Sequence, residues 1–353
     1  MTLNDRIIAF SNLGDFLSQF SQEIPNKNLT VLHNDIYFEK FAIAIESAQH
    51  KNGWFLPIQV VHAINQWSLA LKKDTLENWT NNYPIKDTIN PKTVAIIMAG
   101  NIPLVGFHDL LSILITGNKA LIKPSSEESK LINIICEYLI TDNKEFENLI
   151  KFTEGKITDH DAIIATGSNN TARYFEYYFK DKPHIIRKNR NSVAVLTGSE
   201  TTEELTALGE DIFRYYGLGC RSVSKLFVPE NYNFDNFFKA MYNYQDLIKH
   251  EKYTNNYDYN KAVYLMSEFK LLDNGFLIIK EDKSYSSPIS SLFYEYYDSY
   301  KNLGKKFSND QDLLQCVVNY PENENFVKFG QTQNPHLHDY ADNIDTINFL
   351  LKI

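Results

Sequence analysis

From residue 92 onward, short apolar runs alternate with helix-patterned segments, and this alternation limits the possible folds more than any other feature of the chain. "KTVAIIMAG" reads as a buried strand, "NIPLVGFHDLLSILITG" as a turn and a helix, "NKALIKPS" as a second strand and "SEESKLINIICEYLITDN" as a second helix. "DAIIATG", "SNNTARYFEYYFKDK" and "HIIRKNRNSVAVLTG" continue the series as strand, helix and further strand. Strands that alternate with helices predict a parallel sheet covered on both faces. Such sheets bind ligands beyond the carboxyl ends of their strands, which is where the loops "AGNIP", "KPSSEE" and "TGSNN" fall.

A second α/β unit begins near residue 192 with "SVAVLTG". The helix "TTEELTALGEDIFRYYG", a turn carrying Cys220, the strand "SKLFVP", the helix "NFDNFFKAMYNYQDLI" and the runs "SPISSLFYEYY" and "LLQCVVNY" follow it. A chain of 353 residues exceeds the size at which one core stops growing, so two domains are expected. Their bounds are read as 1–190 for N-terminal helices plus a dinucleotide-binding α/β domain, and 191–334 for an α/β domain carrying Cys220. Residues 335–353 form a tail packing back on the body. Residues 1 to about 90 show amphipathic spacing without a chemical motif.

A net charge of −9 argues against general affinity for nucleic acid or for an anionic membrane surface. No stretch of about 18 apolar residues suggests a membrane span, and the N-terminus lacks a signal-peptide pattern, so a cytoplasmic location is expected. The three cysteines, Cys136, Cys220 and Cys316, are too few for a disulfide framework and lack zinc spacing. His108, in "GFHDLL", and the pair His336 and His338, in "NPHLHDY", have no evident partner for Cys220 and no further ligands nearby, and no metal is assigned.

Four positions carry candidate chemistry. Gly167 and Ser168 lie between a strand and a helix, where free backbone N–H groups and the helix dipole favour an anion, although the same residues suit an ordinary N-cap. Lys123, followed by Pro124 and Ser125, ends a strand and aims an ammonium group at the carboxyl edge, or else is a solvated lysine before a capping box over residues 125–128. Asn101 sits on a strand-to-helix turn, where its amide can donate to an oxyanion or cap the helix. Cys220 follows "YYGLG" with Arg221 adjacent and Lys225 near, and cationic neighbours favour the thiolate. Cys136 and Cys316 fall inside apolar patterns and read as small hydrophobes.

Taken in order, these motifs resemble the aldehyde dehydrogenase superfamily. "AGNIPL" is similar to its oxyanion turn, "LIKPSS" to its ribose clamp, "TGSNNTAR" to its Gly-Ser turn and "GLGC" to its nucleophile turn. "NIPLVGFHDLL" and "YYGLGCRSVSKLFVP" most resemble the acyl-CoA reductases, related to the fatty-acid reductase subunit of bacterial luminescence operons. The resemblance implies an aldehyde-dehydrogenase-like α/β fold of two parallel-sheet domains with the active site between them. It also implies Cys220 as nucleophile, Asn101 as oxyanion donor, and Lys123, Pro124, Ser125, Gly167 and Ser168 as cofactor-binding residues.

Departures from the superfamily pattern sharpen the expectation. Alignment on Ser192 places Arg187 where hydrolytic members carry their general-base glutamate, so an acyl-enzyme would resist water and exchange with a thiol such as coenzyme A. The Glu-x-Phe-Gly-Pro stretch is reduced to "SYSSP" at residues 284–288. Ser126 stands where a ribose-binding glutamate would be, which favours NADPH, with NADH the alternative. The expected reaction is reduction of an acyl-CoA, or a related activated acyl group, to the aldehyde through a thioester on Cys220. A cysteine acyltransferase or thioesterase on the same fold, and a non-catalytic nucleotide- or partner-binding member, are the alternatives. A homo-oligomer or an acyl-activating partner enzyme is suggested by analogy alone.

Overall fold

The structure is a computed structural model that describes residues 1–22, 24–87, 90–126, 129–320 and 326–353. The chain divides into two compact units, one of residues 1–188 with 336–353 and the other of residues 189–335.

The first unit opens with four helices, α1 (Leu3–Ser18), α2 (Asn34–Lys51), α3 (Pro57–Ala70) and α4 (Lys73–Thr80). The alternating segment follows as β1 (Thr93–Ile97), α5 (Phe107–Ile115), β2 (Lys119–Lys123), α6 (Ser129–Asp142), β3 (Ile150–Phe152), β4 (Ala162–Thr166), α7 (Asn169–Tyr178) and β5 (His184–Arg187). These five strands form one sheet in the order β3-β2-β1-β4-β5, with every pairing parallel. The capping box read over residues 125–128 includes 127 and 128, which lie outside the described residues.

Burial explains the sequence texture. Val94, Ala95 and Ile96 of β1 are buried, as continuous apolar runs in a two-sided parallel sheet should be. Every residue of α5 except His108 is buried, so this helix is apolar nearly all round. The N-terminal helices share one core with the sheet, joining Phe10 and Phe16 of α1 and Phe41 of α2 to Leu110 and Tyr138. Full burial of each such side chain stabilises the fold by roughly 1.5–3 kcal/mol.

The second unit contains β6 (Asn191–Val195), α8 (Thr202–Phe213), β7 (Val223–Pro229), α9 (Asp235–Met241), α10 (Glu251–Met266), β8 (Leu271–Asp273), β9 (Ile278–Glu281), β10 (Ser291–Tyr297), α11 (Tyr300–Asn309) and β11 (Leu314–Val318). The chain then returns to the first unit, ending in α12 (Thr346–Leu350). Six strands order as β11-β6-β7-β10-β9-β8.

One feature differs from the sequence reading. The second sheet is mixed, because β8 and β9 pair antiparallel. Their link is a turn at Asn274 and Gly275, the latter at φ +95°, and a connection this short cannot make the crossover that a parallel pair needs. The run "HIIRKNRNSVAVLTG" holds two strands, β5 in the first sheet and β6 in the second. Among the described residues no helix is long and apolar enough to cross a membrane.

Candidate active site

The register of the first sheet gathers its candidate residues at one edge. Ile97 pairs with Lys123 and with Ala165, and Thr166 pairs with Arg187, so β1, β2, β4 and β5 end level with one another. The chain runs from β1 outward through β2 to β3 and then crosses to β4 on the other flank of β1. This reversal of strand order leaves a crevice beyond the carboxyl ends of β1 and β4, the usual ligand position in open α/β sheets. Asn101 follows β1, Lys123, Pro124 and Ser125 end or follow β2, and Gly167 and Ser168 follow β4.

The Asn101 turn is held in an unusual shape. Asn101 is exposed, whereas Leu104, buried at 1% exposure, has φ +57°, in the left-handed region that branched side chains avoid at a cost of about 1–2 kcal/mol. Asn52, buried ahead of α3, donates its side-chain amide to the Gly100 carbonyl at 3.1 Å and so fixes the residue preceding Asn101. Sequence reading passed over Asn52; its one signal was the Asn-Gly pair in "HKNGW".

Lys123 donates from Nζ to the Gly155 carbonyl at 3.1 Å, which lays the segment after β3 beside this lysine. Ser168 caps α7, accepting from the Thr171 N–H at 3.3 Å. A Cβ at Gly167 would stand 3.0 Å from that of Thr171 and 3.1 Å from the Phe175 ring, so a small residue lets the first turn of α7 close on the strand. The N-cap reading of this turn is therefore met, and the same cap presents a helix N-terminus at the carboxyl edge of the sheet.

Cys220 belongs to the second unit, between α8 and β7, and is exposed. Between the end of α8 and Cys220, Tyr215 and Tyr216 take φ +54° and +57°, and Gly217 takes φ +76°. Two buried aromatic residues in left-handed conformation are held by packing: Tyr216 stacks on His250 at 4.8 Å and lies 6.3 Å from the Tyr253 ring. The Cys220 turn closes with the Ser222 N–H on the Gly219 carbonyl at 3.0 Å. Ser192 of β6 donates its hydroxyl to the Cys220 carbonyl at 2.9 Å and accepts the Cys316 N–H at 3.1 Å. Arg221 donates to Cys316 Sγ at 3.4 Å, and Gln333 donates to the Ser222 hydroxyl at 3.2 Å.

The segment carrying Gln333 is anchored by Asp211 of α8. This wholly buried carboxylate accepts the Gly330 N–H at 2.7 Å, the Thr332 N–H at 2.9 Å and the Thr332 hydroxyl at 2.8 Å. Burial pushes its pKa up to about 6, against the opposing pull of those three donors.

Other residues singled out in the sequence take structural roles. Lys225, read as a cationic neighbour of the thiol, is buried in β7, where its ammonium donates to Glu295 and to the Lys283 carbonyl between the Phe227 and Tyr285 rings. Burial holds its pKa below the usual lysine value. Arg187 is a buried ion-pair partner of Asp109 on α5 and donates to the Thr346 hydroxyl at 3.1 Å. His108 sits among Trp67, Trp79 and Tyr340, with Nε2 2.9 Å from the Leu337 carbonyl, so that nitrogen carries the proton. Burial raises the pKa of the Cys136 thiol, which makes it an inert hydrophobe. His336 and His338 stack with exposed rings, and among the described residues no group of three His, Cys, Asp or Glu side chains could hold a metal ion.

One parallel and one mixed sheet in two α/β units, a strained turn after the first strand and an exposed thiol on a helix-to-strand turn define a protein with the aldehyde dehydrogenase fold. Aldehyde dehydrogenase 21 from Physcomitrella patens, solved with succinate, shares that fold at a TM-score of 0.66 and 13% identity, over 100% of this chain and 84% of its own. Indole-3-acetaldehyde dehydrogenase from P. syringae, solved with NAD+ and IAA, gives 0.62 and 13% over 92% and 73%. An aldehyde dehydrogenase from Bacillus cereus, solved with NAD+, gives 0.61 and 14% over 92% and 73%. No curated protein matches the chain in sequence. The model of the acyl-CoA reductase (LuxC) family matches residues 54–290, and the chain belongs to that family.

Proposed function

We propose that the protein reduces an acyl-CoA, or a related activated acyl group, to the aldehyde through a thioester on Cys220. The observation that carries this reading is an exposed cysteine on a strained turn in a chain of the acyl-CoA reductase (LuxC) family. The Cys220 thiolate attacks the acyl carbonyl, the Asn101 amide and the Cys220 N–H stabilise the resulting oxyanion, and coenzyme A leaves with the electrons of the broken C–S bond. Arg187, placed by the resemblance where hydrolytic members carry a glutamate, is paired with Asp109 and offers no base for water.

The carboxyl edge of the first sheet suits a dinucleotide: Lys123, Pro124, Ser125, Gly167 and Ser168 border a strand-order reversal beside a helix N-terminus. A reduced nicotinamide cofactor, when bound, supplies the hydride. NADPH is preferred because Ser126 leaves room for a 2′-phosphate; NADH is the alternative, and the P. syringae and B. cereus neighbours were solved with NAD+. A cytoplasmic enzyme, assembled with copies of itself or with an acyl-activating partner, completes the reading.

The test follows NADPH oxidation and coenzyme A release together across acyl-CoAs of different chain length, with Cys220→Ala alongside. Matched oxidation and release that vanish in Cys220→Ala are expected. Release without oxidation would replace this reading with an acyltransferase or thioesterase. Turnover that survives in Cys220→Ala would sink it.

A further inference from the structure

Cys220 is exposed, yet the peptide unit that follows its Cα is bound from beneath by a wholly buried hydroxyl. Ser192, at 0% exposure in β6, has one proton to give and places it on the Cys220 carbonyl at 2.9 Å. It accepts the Cys316 N–H of β11 at 3.1 Å. Both hydrogen-bonding directions of the hydroxyl are therefore set by neighbours. The strand supplying Cys316 also takes Arg221 on its sulfur at 3.4 Å, so β11 engages the turn at two successive residues, one of them through Ser192.

A carbonyl held in this way fixes the plane of the peptide unit joining Cys220 to Arg221, and so restrains ψ of Cys220 and the Cα from which its Cβ–Sγ arm extends.

We propose that Ser192 is a positioning residue for the Cys220 thiol, setting the orientation of its backbone through the Cys220 carbonyl. The proposal rests on Cys220 being the nucleophile. Ser192 touches neither acyl group nor cofactor in this scheme; it acts by restraining the backbone that carries the attacking sulfur. Rotation of that peptide plane by a few tens of degrees displaces Sγ on the order of 1 Å, and a misplacement of that size costs about 100-fold in rate.

The experiment compares Ser192→Ala with Ser224→Ala in the full chain. Ser224 is the control because its hydroxyl, on β7, donates to the Tyr285 carbonyl at 2.7 Å and reaches the Ser192 main-chain carbonyl only at 3.4 Å, so its loss removes a neighbouring bond while leaving the Ser192 hydroxyl and the Cys220 carbonyl in place. Two readouts are taken: the burst of coenzyme A release on mixing with the best acyl-CoA of the panel above, and the pH profile of Cys220 alkylation by iodoacetamide, located by peptide mass spectrometry. Ser192→Ala is expected to slow the burst about 10- to 100-fold with KM near the wild-type value and to change the alkylation profile, while Ser224→Ala leaves both in place. A wild-type burst in Ser192→Ala, or an equal loss in Ser224→Ala, overturns the proposal. Should Ser192→Ala fail to fold, Ser192→Cys, of similar size and with only a weak donor, is measured against the same outcomes. Turnover in Cys220→Ala fells the nucleophile reading itself, and so is distinguished from a failure of Ser192 alone.

Discussion

Tyr215 and Tyr216 hold left-handed backbone angles with both rings buried, a conformation for which their residue type gives no hint. Gly217 was the visible signal of a turn in this stretch, but a glycine alone does not announce that its two predecessors share its conformation. Asp211 and Ser192 were equally silent, since a carboxylate in an amphipathic helix and a serine at the start of a strand are ordinary until Gly330 and Cys316, each more than 100 residues away, are in place against them. Asp211 supplies a prediction. Its folded pKa, about 6, stands above the model-peptide value of 3.8, so the protonated form contributes stability that is complete below pH 3.8 and is lost as pH rises through about 6. The stability of the wild type relative to Asp211→Asn should therefore fall between about pH 4 and 6, by on the order of 2–3 kcal/mol, and stay level above that window. Denaturant melts of both proteins across pH check this; a difference independent of pH would mean that Asp211 does not titrate in that range. At neutral pH, Asp211→Asn should still be the less stable, because an amide presents one oxygen to three donors.

Elements with strong apolar periodicity were legible, and those held by tyrosines were not. The helix α10 has Tyr253, Tyr257, Asn260 and Tyr264 on its buried side, a spacing of four, three and four residues that would read as a helical stripe only if tyrosine counted as apolar. The edge hairpin of β8 and β9 had its signal in "DNG", a turn pair passed over because the flanking strands are short. Within α8, Gly209 should be costly by propensity, about 1 kcal/mol against alanine. Packing reverses that preference: a Cβ there would stand 2.1 Å from the Tyr244 ring, whose hydroxyl is fixed to the Thr206 carbonyl and to Glu210. Gly209→Ala is accordingly expected to destabilise the second unit by about 1–3 kcal/mol, and Gly209→Ala combined with Tyr244→Ala to cost less than the sum of the two changes. Thermal unfolding of the single and double variants measures this coupling, and simple additivity would show that the ring yields freely.

At the scale of the whole molecule, residues 336–353 rejoin the first unit after the chain has built the second. Leu337, Tyr340, Ile347 and Leu350 enter the first core, the Trp79 indole donates to the Tyr340 hydroxyl at 2.9 Å, and Thr346 receives Arg187. Each of the four apolar side chains accounts for about 1.5–3 kcal/mol of burial. Deleting residues 336–353 should therefore speed amide hydrogen exchange throughout 1–188 and leave the strands of 189–335 protected; equal loss in both units would contradict a core confined to the first. The sequence by itself determined the alternation of strands and helices, the parallel first sheet, the strand-end loops that carry Asn101, Lys123 and Gly167, and the turn at Cys220, whose exposure only the structure shows. Those follow from periodicity and turn chemistry, which act over a few residues. Tertiary structure alone decided that Arg187 would meet Asp109, that His108 would be enclosed by aromatic rings, and that Ser192 would hold the Cys220 carbonyl. Each of these depends on contacts between segments far apart in the chain, whose partners are fixed only when the sheets assemble.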